Sequence, residues 1–455
     1  MRTHDTGWAG HAVWWHVYPL GFLGAPRTGD PGAEPVHRLP ALANWLDHLV
    51  GLGANGLALG PVFASQTHGY DTVDHFRVDP RLGTEDDLVA LIEACHARGV
   101  RVQLDGVFNH VGRGFGRFQE VLRDAGSPAA SWFRIGGGAQ GDDPFGYADF
   151  EGHHELVALN HDEPEVAAYV GEVLRHWCER GVDSWRLDAA YAVPPGFWAP
   201  VLAGLRETHP DVWVVGEVIH GDYVAYVEGG GLDSVTQYEL WKAIWSSLND
   251  GNMFELGHAL GRHDTLLAAF LPLTFVGNHD VTRLATQIAD PRHVGHALAV
   301  WLTTPGVPSV YYGDELGRQG RKEDRAGGDD AVRPAFPESP GGLPPDPSGR
   351  AGETYELHQR LIGLRRRHPW LAGARIGEPL LLTNEAIATD VRAAGGGRLV
   401  TVLNVGDDEV RVPGVSGLRL LTGDGQVDGT GDRAGDGEAV TVPGHAWAVL
   451  GTEET

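Results

Sequence analysis

Apolar residues along this chain recur in two alternating patterns, one with helical spacing and one continuous. Leu39, Leu42, Leu46 and Leu49 repeat at the three- and four-residue spacing of an amphipathic helix. Runs of consecutive apolar residues, as at 212–219, are typical of strands that are buried on both faces. The patterns predict strands at 12–20, 56–63, 100–108, 212–219, 234–240, 271–280 and 309–312, and a further strand, the fourth in chain order, whose last residues are 186–188. They predict helices at 39–52, 84–98, 163–180, 197–208, 292–303 and 354–367.

Strands that alternate with helices in this way predict an α/β fold, and eight such units predict a (β/α)₈ barrel, the TIM barrel. A glycine-rich, aromatic stretch at 111–155 predicts a short, irregular insert after the third strand. From about residue 373, short strands separated by Gly/Asp turns predict an antiparallel β-sandwich. The predicted domains are a catalytic barrel of 1–110 and 156–372, an insert of 111–155 and a C-terminal sandwich of 373–455.

Charge and composition narrow the classes of partner. The chain has 455 residues and 35 basic against 61 acidic side chains, a formal net charge of −26. This balance disfavours nucleic acid and anionic membranes and favours a neutral or cationic ligand. No apolar run approaches a membrane span, and residues 1–7 have no apolar leader core, so we expect a cytoplasmic protein. Cys95 and Cys178 fall in predicted helices, where free core thiols are expected rather than a disulfide or a metal site.

Polar side chains follow four of the predicted strands at their carboxyl ends. In a parallel barrel these ends meet on one face, where active sites lie. We therefore expect the side chains to share one rim. They are Asp105, Asn109 and His110 after the third strand, Arg186 and Asp188 on the fourth, Glu217 on the fifth, and Asn278, His279 and Asp280 after the seventh.

Three of these groups suggest a specific chemistry. Arg186 and Asp188 are two residues apart on a strand, so they point to the same side, and the guanidinium favours an ionised Asp188. Glu217 lies in an apolar run, which favours a raised pKa and a role as proton donor. An ionised carboxylate beside a protonated carboxyl is typical of glycoside hydrolysis. The alternative for Arg186 and Asp188 is a structural ion pair at a strand end.

Six short motifs, taken in order, resemble the α-amylase family, glycoside hydrolase family 13. Each motif alone is weak, but together, in order and at the spacing of barrel strands, they are specific, and the resemblance covers nearly the whole chain. The motifs lie at 68–74 (HGYDTVD), 105–110 (DGVFNH), 181–188 (GVDSWRLD), 216–217 (GE), 275–280 (FVGNHD) and 311–315 (YYGDE).

The resemblance implies a role for each matching residue. Asp188 would be the nucleophile that forms a β-glycosyl ester, Glu217 the general acid and then the base, and Asp280 the residue that holds sugar hydroxyls in the transition state. Cleavage would retain the α configuration, with the carboxyls of Asp188 and Glu217 about 5–5.5 Å apart. The substrate-binding residues would be His68, Tyr70, Asp105, His110, Arg186, Tyr191 and His279.

Two departures from the family pattern concern calcium and the subgroup. Ala158 stands where calcium-dependent amylases usually have an aspartate, so no cofactor is expected to be required, and Asn109 would bind calcium only if such a site survives. Residues 131–135 and 156–166 resemble the group of cyclomaltodextrinases, neopullulanases and maltogenic amylases. The first strand begins near residue 12, without the preceding β-domain that this group often uses for dimerisation. A monomer or a homodimer therefore stays open.

These observations predict a retaining hydrolase of short or cyclic malto-oligosaccharides. It would cut α-1,4 glucosidic bonds, or α-1,6 bonds as well, in a small neutral substrate. The first alternative is a transglycosylase, with Tyr191 and Trp198 forming an apolar acceptor site. The remote alternative is a non-catalytic carbohydrate-binding subunit, against which the presence of Asp188, Glu217 and Asp280 argues.

Overall fold

Eight parallel strands form the predicted barrel. The computed structural model describes residues 7–136, 143–325, 327–345, 349–428 and 439–452. The barrel strands are β1 (Trp14–Val17), β2 (Gly56–Leu59), β3 (Arg101–Gly106), β4 (Ser184–Leu187), β5 (Trp213–Gly216), β6 (Ser234–Val235), β7 (Leu273–Thr274) and β8 (Val307–Tyr311). They pair in the order β6-β5-β4-β3-β2-β1-β8-β7, and a parallel bridge between Thr236 and Leu273 joins the two ends. The predicted fold class is therefore confirmed.

Runs of consecutive apolar residues form these strands. Every residue of β1, β2, β4 and β5 is buried, because helices cover the outside of the barrel and side chains fill its interior. The register also positions the polar rim, since Asp105 on β3 pairs directly with Arg186 on β4. A slip of one residue would turn one of these two side chains to the opposite face.

Amphipathic helices surround the strands. Thr84 begins the helix Glu85–His96 with a capping box, in which Thr84 and Asp87 bond to each other's backbone N–H groups. The longer helices of this part of the chain are Leu46–Leu52, Glu85–His96, Pro164–Cys178, Pro195–Arg206, Tyr223–Gly230, Tyr238–Asp250, Met253–Leu267, Val294–Thr303 and Ala351–Arg367.

The structure corrects several predicted elements. Segment 234–240 is a strand only at β6, because a helix begins at Tyr238. Gln237 is the N-cap of this helix, and its side chain accepts a hydrogen bond from the backbone N–H of Leu240, the third residue of the helix. Short apolar runs fit a strand and a buried helix equally well, which explains the error. The predicted strand 271–280 pairs only at β7, and the predicted helix 39–52 is two helices, Leu39–Ala43 and Leu46–Leu52. The helices Tyr223–Gly230 and Met253–Leu267 were not predicted.

The insert after β3 is more regular than the sequence suggests. A three-stranded antiparallel sheet forms from His110–Gly112, Asp149–Phe150 and His153–Ala158, and the helix Gly116–Arg123 packs beside it. The aromatic ring of Phe118 is fully buried and contacts those of Phe133 and Tyr147. The aromatic residues of the insert therefore build a small core of their own.

Two antiparallel sheets form the C-terminal sandwich. One contains Arg375–Ile376, Leu381–Leu382, Ala386–Arg392, Arg398–Asn404, Arg419–Gly423 and Trp447–Gly451, and the other contains Val410–Pro413, Gln426–Val427 and Ala439–Val442. Along Arg398–Asn404 the side chains alternate between two cores. Leu399 and Leu403 join the barrel core, whereas Val400 and Val402 join the sandwich core. One sheet is thus shared by both cores, as the two faces of a strand allow.

Three smaller predictions concern the core and the chain start. Cys95 and Cys178 are buried, free thiols, as predicted. Trp14 is fully buried and its ring stacks on that of Trp213, so this aromatic residue of β1 belongs to the core. Within the described residues, no helix is both long enough and apolar enough to cross a membrane. Residues 1–6, on which the expectation about a leader rests, lie outside the described part.

Candidate active site

Arg186 is the centre of the polar rim, because its guanidinium holds three carboxyl groups. Its Nη1 lies 2.6 Å from Asp105 Oδ1 and 3.1 Å from Asp188 Oδ1, and its Nη2 lies 2.8 Å from Glu217 Oε1. The four residues are between 1% and 8% exposed. Three neighbouring strands, β3, β4 and β5, bring them together at their carboxyl ends. The structure therefore places these four predicted residues in one site.

Two further donors fix the carboxyl group of Glu217. The backbone N–H of Ala189 donates to Glu217 Oε2 at 3.0 Å, and the hydroxyl of Tyr238 donates to Glu217 Oε1 at 3.1 Å. Ala189 adopts a left-handed backbone with φ +44°, which is rare for a residue other than glycine. This conformation, directly after Asp188, turns the Ala189 N–H towards Glu217. Backbone strain of this kind is often found at functional sites.

The electrostatics of Asp188 differ from the expectation. Burial, together with the negative charges of Glu217 and Asp105, outweighs the attraction of Arg186 and raises the pKa of Asp188 well above its ordinary value. The expectation that Arg186 keeps Asp188 ionised assumes that Asp188 is the only carboxylate partner of Arg186. Arg186 is instead shared among three carboxyl groups, and ionising all of them in one buried cluster is costly. The cluster consequently favours holding a proton.

Asp280 has the opposite electrostatics. Its Oδ1 accepts from Arg333 Nη2 at 2.9 Å, and its Oδ2 lies 2.9 Å from His279 Nε2. Burial opposes ionisation, but His279, Arg333 and Arg186 outweigh it and hold the pKa of Asp280 well below its ordinary value. Asn278 also orients Asp280, since its side-chain oxygen accepts from the backbone N–H of Asp280 at 2.8 Å. Asp280 is therefore a fixed negative charge at the rim.

Tyr70, His110 and His279 form the wall beside these carboxyls. The rings of Tyr70 and His279 lie nearly parallel at 5.5 Å, and the Tyr70 hydroxyl bonds to both His279 Nε2 and Asp105 Oδ2. His110 Nε2 bonds to the backbone oxygen of Tyr70 at 3.1 Å, and its ring stacks on Phe150 of the insert at 4.8 Å. Burial lowers the pKa of His110 to about 3, so this imidazole is neutral. The wall is an aromatic surface with polar edges, which suits a sugar.

His68 and Tyr191 occupy more open positions. His68 lies where two cavities of about 430 Å³ each meet, one bordered by residues 152–156 of the insert and the other by residues 327–335. The Tyr191 hydroxyl donates to Glu151 Oε1 at 2.8 Å and so connects the end of β4 to the insert. Trp198, by contrast, is fully buried and donates its N–H to Tyr226. The prediction that Trp198 helps to line an acceptor site is therefore wrong.

The donor set around Asn109 does not fit a calcium ion. Its amide nitrogen bonds to His110 Nδ1 at 3.0 Å, and its backbone oxygen accepts from Leu159 N–H at 3.0 Å. Ala158 supplies no side-chain oxygen. Calcium takes six to eight oxygen ligands, often carboxylates, and these contacts provide no carboxylate.

The sequence analysis missed two residues of the site. Tyr238 bridges Glu217 and Asn278, but it was predicted to lie on a strand. Arg333 bonds to Asp280 and to the backbone oxygen of His279, and its guanidinium lies 4.7 Å from the centre of the Tyr18 ring. Arg333 belongs to the charged segment 318–349, whose sequence fits a border of the cleft and a solvated loop equally well. Several arginines occur there, and no local pattern distinguishes the one that reaches the site.

Comparison with known proteins identifies the class. A family model described as the alpha amylase catalytic domain matches residues 29–375, and the chain belongs to the α-amylase family. It is 33% identical over 387 residues to a protein named cyclomaltodextrinase from Geobacillus thermopakistaniensis, which covers 79% of this chain and 63% of that protein. The chain thus spans less than two thirds of the length of this relative.

Two solved structures resemble the whole chain. The ligand-free cyclic α-maltosyl-(1→6)-maltose hydrolase from Arthrobacter globiformis has a TM-score of 0.80 and 26% identity, and the match covers 98% of this chain and 100% of that one. The Nostoc punctiforme debranching enzyme has a TM-score of 0.83 and 25% identity, with coverage of 99% and 100%. The predicted family and its cyclomaltodextrinase-like group are confirmed.

Proposed function

We propose that this protein is a retaining α-glucan hydrolase that opens or shortens small malto-oligosaccharides, cyclic ones in particular. The observation that carries this proposal is the shared guanidinium of Arg186, which holds Asp188 and Glu217 side by side. A retaining enzyme requires two carboxyls that lie close together, one as nucleophile and one as acid. The names of the Geobacillus and Arthrobacter relatives support a cyclic substrate.

The reaction takes two steps. In the first, Asp188 attacks the anomeric carbon while Glu217 gives its proton to the departing glycosidic oxygen, so the glycosidic bond breaks and a glycosyl ester of Asp188 forms. In the second, Glu217 takes a proton from water, the water oxygen attacks the same carbon, and Asp188 is released. Two inversions restore the α configuration. Asp280, fixed by His279 and Arg333, holds hydroxyls of the distorted sugar.

Ala189 and Tyr238 orient the carboxyl of Glu217, which must deliver the proton. Because burial raises the pKa of Asp188 in the empty site, the bound substrate must favour the ionised form of this nucleophile. A sugar bound against Asp188 brings positive charge to its carbon in the transition state, which favours the ionised nucleophile. Transglycosylation would use the same residues with a sugar hydroxyl in place of water. The ring of Tyr191, at the end of β4, could then contact the acceptor sugar.

A product profile tests the proposal. Purified protein, without added calcium, would be incubated with maltotriose, a cyclic α-1,4 glucan, a cyclic mixed α-1,4/α-1,6 glucan and pullulan, with Asp188→Asn as the blank. We expect fast opening of one ring, slow attack on pullulan, and an α anomer as the first product in a proton NMR time course. A first product of β configuration, or no turnover of any substrate with sugar binding retained, would contradict it. Products longer than the substrate would move the assignment to a transglycosylase.

A cytoplasmic location and the choice between monomer and homodimer stay predictions of the sequence. Size-exclusion chromatography coupled to light scattering decides the second directly.

A further inference from the structure

A second group of metal-ligating side chains lies where the barrel meets the C-terminal sandwich. Asp290 and His293 belong to the turn that leads into helix Val294–Thr303, and His445 belongs to the turn before strand Trp447–Gly451. One ligand atom from each of the three residues lies within 4.8 Å of the other two. None of these residues is part of the catalytic rim, and the hydrolytic mechanism does not use them.

The two imidazoles face each other through their ring nitrogens. His293 Nε2 lies 3.1 Å from His445 Nδ1, and the rings are nearly parallel, at 21° and 5.3 Å between centres. Two imidazole nitrogens bound to one tetrahedral zinc ion, each about 2.0–2.1 Å from the metal, are about 3.3 Å apart. Without an ion, the two nitrogens share a hydrogen bond. A zinc ion would replace the shared proton, and the nitrogens would move apart by only about 0.2 Å.

The far nitrogen of His445 has the partner that metal-binding histidines usually have. Nε2 of His445 lies 2.8 Å from Asp407 Oδ1. A carboxylate in this position keeps the proton on the outer nitrogen, orients the ring and makes the inner nitrogen a better ligand. Nδ1 of His445, with its lone pair, then points at His293. Asp407 is thus a positioning residue for the ion and not one of its ligands.

The backbone of His445 provides an independent indication. Its φ is +55°, in the left-handed region that a residue other than glycine rarely adopts. The preceding residue is Gly444, and a glycine would adopt this left-handed conformation without strain. The conformation nevertheless falls on the histidine. Strain of this kind is held in place by its surroundings and is concentrated at ligand-binding sites. Here it is held by the hydrogen bond from His445 N–H to Gly406 O at 3.0 Å.

Asp290 supplies the charge. Its carboxylate already accepts from the backbone N–H and the guanidinium of Arg292, which keep the pKa of Asp290 below its ordinary value. One of its oxygens must turn from Arg292 to reach an ion between the histidines. Because Asp290 and His445 are partly exposed while His293 is buried, the ion can enter from solvent and still anchor to the barrel.

We propose that His293, His445 and Asp290 bind one Zn²⁺ ion, with water as the fourth ligand and Asp407 behind His445. Two imidazoles and one carboxylate suit zinc, whereas calcium and magnesium prefer oxygen ligands alone. The ion joins the barrel helix Val294–Thr303 to the sandwich strand Trp447–Gly451. It fastens the two units together and takes no part in glycoside cleavage.

Zinc titration of the full, tag-free chain tests the site. After treatment with a chelator and its removal, isothermal titration calorimetry should show one Zn²⁺ per chain, and zinc should raise the melting temperature, as a ligand of the native state does. Excess Mg²⁺ or Ca²⁺ should not reproduce the shift. Anomalous scattering at the zinc edge should place the ion between His293 and His445. Absence of stoichiometric uptake, or an ion located elsewhere, would overturn the proposal.

Four variants separate the ion from a structural role of the histidines. His293→Gln and His445→Gly should both lose the bound zinc and its thermal shift. Glycine tolerates the backbone of position 445, so His445→Gly should stay folded without metal. Asp407→Asn should weaken zinc binding about 10–100-fold. His258→Gln, on the exposed side of helix Met253–Leu267, is the matched control and should bind zinc as the unaltered chain does. Equal zinc binding by all four variants would refute the assignment.

Discussion

At the scale of single residues, two carboxyls of the candidate site are held in opposite ways. Burial raises the pKa of Asp188, and positive neighbours lower the pKa of Asp280. A raised pKa in the folded state means that ionisation costs stability, so the contribution of Asp188 is full below the pKa of the unfolded chain, about 3.9, and is lost as the pH rises through the folded pKa. For Asp280 the sign is reversed, and its contribution is lost as the pH falls.

We therefore expect Asp188→Asn to raise the melting temperature at pH 7 by about 1–3 °C while activity falls by about 10⁴-fold or more. The gain should shrink towards pH 4, where Asp188 itself becomes neutral. Asp280→Asn is the matched control, because it also removes one charge but should lower the melting temperature at pH 7. Differential scanning fluorimetry across pH 4–8 measures both. A lower melting temperature for both variants at pH 7 would show that the charge of Asp188 does not destabilise the folded protein.

At the scale of elements, the sequence predicts site residues that follow a pattern within one segment, and it misses those that only the folded arrangement of several segments brings to the site. Glu217 could be predicted because a charged residue near the end of a continuous apolar run is a pattern within a single short segment, 212–219. Tyr238 could not, because the short run around β6 continues as a helix and only the fold turns that helix towards Glu217. Arg333 comes from a segment with no regular pattern. The raised pKa of Asp188 depends on how three strands share one guanidinium, which no single segment encodes.

The segment that carries Arg333 contributes to the site through the forked guanidinium of this side chain, which makes two hydrogen bonds at once. Nε donates to His279 O, Nη2 donates to Asp280 Oδ1, and the guanidinium lies against Tyr18. Arg333→Lys keeps the charge but cannot make both bonds or the same stacking contact. We expect kcat/KM on the preferred ring to fall about 10–100-fold with little change in melting temperature. Arg321→Lys, an exposed position in the same segment, should match the unaltered enzyme. An unchanged kcat/KM for Arg333→Lys would exclude this role for the fork.

At the scale of the whole molecule, the barrel and the sandwich share buried surface. Helix Val294–Thr303 packs on the sandwich, with Thr303 Oγ1 at 2.7 Å from Thr401 Oγ1 and His296 Nε2 at 3.0 Å from Asn404 O. Gly295 allows the close approach, since a Cβ at this position would lie 2.6 Å from the Trp447 indole nitrogen. These contacts, added to the alternation of residues 399–403 between two cores, indicate that the two units unfold together.

Two substitutions on one strand test this cooperativity. Leu403→Ala opens a cavity on the barrel side and should cost about 2–5 kcal/mol, and Val402→Ala opens a smaller one in the sandwich core. If the molecule unfolds as one unit, differential scanning calorimetry should show a single transition that both variants shift to lower temperature. If the sandwich unfolded independently, Val402→Ala would move a separate, smaller transition and leave the barrel transition in place. The shared sheet argues for the first result, because neither core can lose this strand without exposing the other.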